Sequence, residues 1–444
     1  TYEGYSEDTG LVSTLSAAYI HGLQDVSGAP PLGDPTAVLA TAKHFVGDGG
    51  TAWGSSTTII FQPYMLDQGV TDVDETTLRA VHLPPYQAAI DAGAASIMVS
   101  FSSWGGMKMH AQKYLLTDVL KGEMGFRGFL VSDWQGIDQI PGDYYDDIVT
   151  AINAGLDMIM VPYDYDAFIS GLTRAVEKGD VSMERIDDAV RRILSVKLRL
   201  GLFEQPFSDE SLVPSVGSAE HRELAREAVR RSLVLLKNEG DLLPLSKETP
   251  LIFVGGQAAN EAGMQCGGWT IEWQGKAGNI TPGTGILQAI KDTVGQGSTV
   301  AYDRNGLFKA YEGQTADVGI AVVGEMPYSE GVGDREDLSL SREDLALIER
   351  VKAKSKKLVV ILISGRPLLV TDHLADWDAL VAAWLPGTEG QGIADLLFGD
   401  HPFTGKLPYT WPASADQVPR ASVQGKTPLF PFGYGLETKG TGKP

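Results

Sequence analysis

Four short apolar runs in the first 205 residues, at 37–45, 95–101, 128–134 and 156–162, are separated by stretches of helical periodicity. The helical stretches fall at 11–24, 77–92, 113–124, 145–154 and 165–178. Strands of this length that alternate with helices predict a parallel sheet with right-handed crossovers. Ser182 then caps one more helix, whose Ile186, Ala189, Val190, Ile193 and Leu194 fall on one face. A closed (β/α)8 barrel takes eight strands and typically about 250 residues. Four strands alone would leave the unpaired edges that soluble proteins avoid. The expectation is an open sheet, or a (β/α)8-type barrel whose amino-terminal strands are absent from this sequence.

Residues 206–220 are polar and punctuated by prolines, which marks a linker. Beyond it, a helix at 221–238 and strands at 251–254, 318–323, 358–363 and 379–384, again with helices between, predict an αβα sandwich over 221–444. Two domains also suit 444 residues, more than one core usually covers. The tail 438–444 reads as disordered.

Acidic residues outnumber basic ones 57 to 36, a formal charge of −21, which argues against nucleic acid or an anionic membrane as partner. No apolar run reaches transmembrane length, and Thr1 begins neither a signal peptide nor a normal start. The single Cys266 excludes an internal disulfide framework. Seven histidines without HExxH or paired-ligand spacing indicate no metal site. Gly255-Gly256-Gln257 lacks the third glycine and the acidic partner of a dinucleotide site, so no cofactor is expected.

Three strand ends carry polar groups: Lys43-His44, Met98 to Ser100, and Asp133-Trp134. Parallel topology brings such ends to one face, where barrel enzymes place their active sites. A carboxylate at the end of a buried strand is costly unless chemistry or a partner uses it. The alternatives are a salt bridge or capping pair at Lys43-His44 and an N-cap at Asp133. In the second half, the loop 324–335 follows an apolar strand and holds two glutamates, Glu325 and Glu330, where open α/β sheets bind ligands. A solvated acidic loop is the plainer alternative. Trp269 and Trp273 stand among polar residues, suited to stacking on a sugar or to packing at an interface.

Taken together, Lys43 to Thr51, Ile97 to Ser103, Val131 to Trp134, Gly267 to Gly275, Glu325 to Asp334, Ser364-Gly365-Arg366-Pro367 and Leu429 to Leu436 resemble glycoside hydrolase family 3. The branch they match most is that of the exo-β-glucan glucohydrolases and β-glucosidases. The resemblance runs through nearly the whole chain in the family's order. It implies Asp133 as catalytic nucleophile and Glu330 as general acid/base. It also implies Lys43 and His44 on the hydroxyls of the terminal glucose, Met98 close by, and Trp134 and Trp273 as two aromatic faces for the next sugar. A retaining glycosidase needs two carboxyl groups about 5–5.5 Å apart, one ionised and one protonated. The neighbouring lysine and histidine suit Asp133 to the ionised role, and aromatic and apolar neighbours suit Glu330 to a raised pKa. Splitting the pair between two domains would place the site in a cleft.

The implied substrates are β-linked glucosides or gluco-oligosaccharides, cleaved without a cofactor, in a periplasmic or secreted rather than cytoplasmic setting. A β-xylosidase or β-N-acetylglucosaminidase of the same family, or a non-catalytic glucan-binding fragment, are the alternatives. Phe101 and Gln139 stand where plant members carry tyrosine and arginine, so two hydrogen-bonding groups near the site are lost. Asp48 replaces the histidine that serves the family's N-acetylglucosaminidases, which argues against that activity. Thr1 to Asp8 match a segment that in the family follows further barrel strands and an aspartate gripping the terminal sugar. Residues 1–444 alone are therefore expected to be poorly soluble or inactive, and an upstream extension to restore both properties.

Overall fold

The structure is a computed structural model that describes residues 2–25, 32–418 and 425–439. The chain divides into two compact units, Asp8–Ser211 and Leu212–Pro444 together with Thr1–Glu7.

In the first unit, Asp8 caps helix α1 (Thr9–Gln24) by accepting from the Leu11 N–H. Strands β1 (Thr41–Phe45), β2 (Ser96–Val99) and β3 (Phe129–Val131) pair in parallel in that order. Phe45 lies opposite Val99, and Met98 opposite Val131, so the strands end side by side. The helix expected over 77–92 is interrupted. A π-helical turn, Leu78–His82, precedes α2 (Pro84–Asp91). Pro84 and Pro85 cannot donate to a continuing helix but fit the first turn of a new one. The helix expected over 113–124 is likewise π-helical, at Tyr114–Glu123.

The fourth expected strand, 156–162, lies beside β3 but pairs only through the bridge Val131–Met158. Its neighbour Asp157 explains this: the carboxylate accepts the Leu130 N–H at 2.8 Å, a donor a full ladder would use. Pro162 offers no N–H of its own. Helices α3 (Tyr144–Ala154), α4 (Tyr165–Lys178) and α5 (Met183–Arg199) follow, capped by Asp143, Asp164 and Ser182. The apolar face of α5 is only partly covered: Ala189 is buried, Ile186 and Ile193 are half-buried, and Val190 and Leu194 are exposed.

The second unit is a six-stranded sheet between helices. The helix expected over 221–238 ends early, as α6 (Ala219–Ser232), and is followed by β4 (Val234–Asn238). The run Leu233-Val234-Leu235-Leu236 is buried throughout, which suits a strand covered on both faces and not an amphipathic helix. The remaining elements are β5 (Leu251–Gly255), α7 (Ile286–Thr293), β6 (Thr299–Asp303), β7 (Val318–Gly324), α8 (Arg342–Ala353), β8 (Leu358–Ile363), β9 (Ala379–Trp384) and α9 (Gln391–Leu397). Sheet order is β4-β9-β8-β7-β5-β6, all parallel but for β4, which runs antiparallel to β9.

Along β8, Val359, Ile361 and Ile363 join a core with α6, α7 and α9, while Leu358, Val360 and Leu362 join another with α8 and the segment carrying Trp411 and Phe430. That alternation is the αβα sandwich. Within the expected disordered tail, residues 440–444 lie outside the described residues.

Candidate active site

Phe45, fully buried against the edge of Tyr86, anchors the end of β1 and leaves Lys43 and His44 beside it. His44 lies between two carboxylates: Nδ1 is 2.8 Å from Asp48 Oδ2 and Nε2 is 3.3 Å from Asp133 Oδ2. The chain turns back at Gly47, whose φ is 103°. A Cβ there would meet Thr71 Cγ2 at 2.6 Å, so the turn that brings Asp48 to His44 requires glycine.

Asp133 follows β3. Its Oδ1 accepts the Trp134 N–H at 2.7 Å, and its own N–H donates to His110 Nε2 at 3.1 Å. The turn Gly136–Gln139 that follows has no side-chain cap, so Asp133 is not an N-cap. Ser132 Oγ donates to the Asp133 carbonyl and accepts the Met160 N–H, tying the segment that carries Asp133 to the fourth chain segment. At the end of β2, Ser100 Oγ donates to Asp48 Oδ1 at 2.5 Å and Ser102 Oγ lies 3.4 Å from the same oxygen. Met98 packs with Leu32, Ala95, Phe129 and Val131. Trp134 is half exposed and meets the edge of Tyr163 at 6.0 Å between ring centroids.

The electrostatics differ in one respect from the sequence expectation. Burial raises the Asp133 pKa above the ordinary carboxylate value, and the charges of His44 and Lys43 and the Trp134 N–H only partly offset it. For His44, burial would lower the pKa, but the hydrogen bond and charge of Asp48, helped by Asp133, outweigh it and hold the ring above its usual value. Asp48 is held low despite burial, by His44 first and then by Ser100 and Ser102.

Two neighbours escaped the sequence reading. His110 is fully buried, with its pKa pushed down to about 3 by burial and by the charges of Lys108 and His44, so it is a neutral acceptor for the Asp133 N–H. Lys108 Nζ donates to Gln139 Oε1 at 2.8 Å and to the Phe101 carbonyl at 2.9 Å. It thus supplies a cation behind both positions where the plant pattern differs. Neither residue lies in a periodic or spaced motif that sequence alone would single out.

In the second unit, Glu330 opens the short turn Glu330–Gly333 with φ at +50°, a conformation uncommon for a non-glycine residue. Its Oε2 accepts from Trp273 Nε1 at 2.9 Å. Ser329 fastens the same two segments: its N–H donates to Gln274 Oε1 and its Oγ to the Trp273 carbonyl. Glu325 is committed elsewhere. It accepts from Arg366 Nε at 3.0 Å and Nη2 at 2.7 Å, pairs with Arg335 at 3.3 Å, and takes the Tyr328 hydroxyl at 3.1 Å. Arg366 also donates to the Gly333 carbonyl at 2.7 Å, so one guanidinium holds both ends of the loop that carries Glu330. Lys43, His44, Met98, Asp133 and Trp134 therefore belong to the first unit, and Trp273 and Glu330 to the second.

A parallel α/β unit whose strands end on a Lys–His–Asp cluster, followed by an αβα sandwich, is the class of protein this fold and site define. Residues 1–196 match the glycosyl hydrolase family 3 N terminal domain, and 233–438 match the family's C-terminal domain. A solved exo-1,3/1,4-beta-glucanase (ExoP) from a Pseudoalteromonas species is 41% identical, with a TM-score of 0.89, over 100% of this chain and 72% of that one. The lysosomal beta glucosidase of Dictyostelium discoideum is 33% identical over 98% of this chain and 56% of its own length. For the periplasmic beta-glucosidase of Salmonella typhimurium the figures are 31%, 98% and 62%. The chain belongs to glycosyl hydrolase family 3, and it spans less than two thirds of the length of these two curated relatives.

Proposed function

We propose that this protein is a retaining, exo-acting β-glucosidase or β-glucan exohydrolase that releases glucose from the non-reducing end of β-glucosides. The observation that carries the reading is the Asp133 carboxylate at the end of β3. One oxygen is tied to the Trp134 N–H and the other faces His44. Ionised, Asp133 attacks the anomeric carbon, forming a glycosyl ester as the bond to the leaving oxygen breaks. Glu330 gives its proton to that oxygen, then takes one from the water that cleaves the ester. Lys43 and His44 supply donors for the hydroxyls of the glucose that is released, and Trp134 and Trp273 supply faces for the sugar that departs. The beta-glucosidase and exo-beta-glucanase relatives support the choice of glucosides.

Asp133→Asn keeps the size of the side chain and removes its charge. Hydrolysis of an aryl β-glucoside is expected to fall about 10³-fold or more, with no glycosyl ester detected by mass spectrometry of the intact protein. Turnover close to that of the wild type would remove Asp133 from the role. Parallel assays with aryl β-xyloside and β-N-acetylglucosaminide test the sugar, and glucose is expected to be preferred.

A further inference from the structure

We infer that Asp48 is a positioning residue which, acting through His44, holds the imidazole ring against Asp133 and links the ends of β1, β2 and β3 into one relay. The inference rests on the nucleophile role proposed for Asp133, and it assigns work to a carboxylate that the reaction itself does not use.

The geometry separates this role from a structural one. An aspartate opening a tight turn ordinarily accepts the turn's own N–H groups. Here the turn is closed by backbone alone, with the Gly50 N–H on the Gly47 carbonyl and the Thr51 N–H on the Asp48 carbonyl. The Asp48 side chain turns the other way: Oδ2 to His44 Nδ1, and Oδ1 to the hydroxyls of Ser100 and Ser102. Ser100 Oγ in turn accepts the Ser102 N–H at 2.9 Å, which fixes the hydroxyl that holds Asp48. The ring of His44 therefore has a carboxylate oxygen at each nitrogen. Asp48 takes the hydrogen bond at Nδ1, and Asp133 stands 3.3 Å from Nε2 as an ion-pair partner that favours the imidazolium. Replacing Asp48 by asparagine leaves an amide oxygen at Nδ1 but removes the negative charge that raises the proton affinity of the ring and strengthens the bond aligning it. The other groups facing this pair are Lys43 and His110 on the His44 side, and His82 and Tyr86 on the Asp48 side. None of these four replaces the lost charge: Lys43 is a cation, and His110, His82 and Tyr86 supply no negative charge at neutral pH.

The test is the titration of His44, read by proton–nitrogen NMR of histidine-labelled protein. The chain has seven histidines, and His44→Gln identifies the signal. In Asp48→Asn the His44 midpoint is expected to fall by about one unit or more, and kcat/KM for an aryl β-glucoside by about 10²-fold, the scale of a misplaced reacting group. Ser100→Ala, which leaves the charge and removes one support, is expected to move the midpoint in the same direction by less. An unchanged His44 midpoint in folded Asp48→Asn overturns the inference; should that variant not fold, an unchanged midpoint in Ser100→Ala does so. The ring titration needs no turnover, so it stands apart from the fate of Asp133→Asn.

Discussion

At the scale of single residues, the loop 324–335 offers two glutamates of the same chemistry in different settings. Glu325 is nearly enclosed and engaged by two arginines and a tyrosine. Those contacts commit the Glu325 carboxylate to bracing the loop and leave it turned away from a leaving group. Glu330 has instead an indole N–H on one oxygen. Glu330→Ala is expected to depress hydrolysis of substrates with poor leaving groups far more than of activated aryl glucosides, and added azide to restore turnover as β-glucosyl azide. Glu325→Ala should lose activity on both substrate types alike, without azide rescue, because the loop loses its brace. The opposite pattern would exchange the two roles. Much of this site is legible in the sequence because strand ends announce themselves: Lys43, His44 and Asp133 close apolar runs. Asp48 enters only through the resemblance, at the position of a histidine in the family's N-acetylglucosaminidases, and its contact with His44 is not legible there. His110 and Lys108 carried no signal, since their roles depend on contacts between segments far apart in the chain.

At the scale of elements, α6 is fastened to α9 by charge. Asp395, with no solvent-accessible side chain, accepts from Arg226 Nε and Nη2 at 2.7 and 2.6 Å and from Arg230 Nε at 2.7 Å. Burial opposes the ionised form, but the two guanidinium groups prevail and hold Asp395 below the ordinary carboxylate range. A depressed folded value contributes stability at pH above the unfolded carboxylate value, near 4, and loses it as pH falls through the folded one. Asp395→Ala takes from Arg226 and Arg230 their buried partner, leaves them Glu223 and Glu227 on their own helix, and is expected to cost about 3 kcal/mol at neutral pH in urea unfolding. The gap between variant and wild type should narrow below about pH 4; a constant gap would mean that packing, not charge, holds the contact. The long apolar strands β7, β8 and β9 are legible in sequence because both their faces are buried. β4 and β6 are less so. The first follows α6 with no glycine or proline between them, and the second has only one buried residue, Ala301. The fourth segment of the first unit reads as a strand, yet Asp157 spends its carboxylate on the ladder donor of Leu130, a side-chain choice that periodicity does not register.

For the whole molecule, the proposal commits to a stereochemical course. Two displacements at one carbon retain configuration, whereas a single displacement by water inverts it. The nucleophile role proposed for Asp133 commits to the first course. His44 and the Trp134 N–H each face one oxygen of the carboxylate and orient it, as a nucleophile requires. The excess of 57 acidic over 36 basic residues adds a second constraint, because a chain of this charge repels anionic glycans and leaves neutral ones unaffected. Turnover of a neutral β-glucoside should accordingly change little with added salt. Followed by proton NMR from the first seconds of reaction, the sugar released is expected to be β-glucose, with the α-anomer rising only at the rate of mutarotation. If α-glucose comes first, the reaction is a single inverting displacement, Asp133 is a base instead of a nucleophile, and the glycosyl ester expected for the wild type does not form.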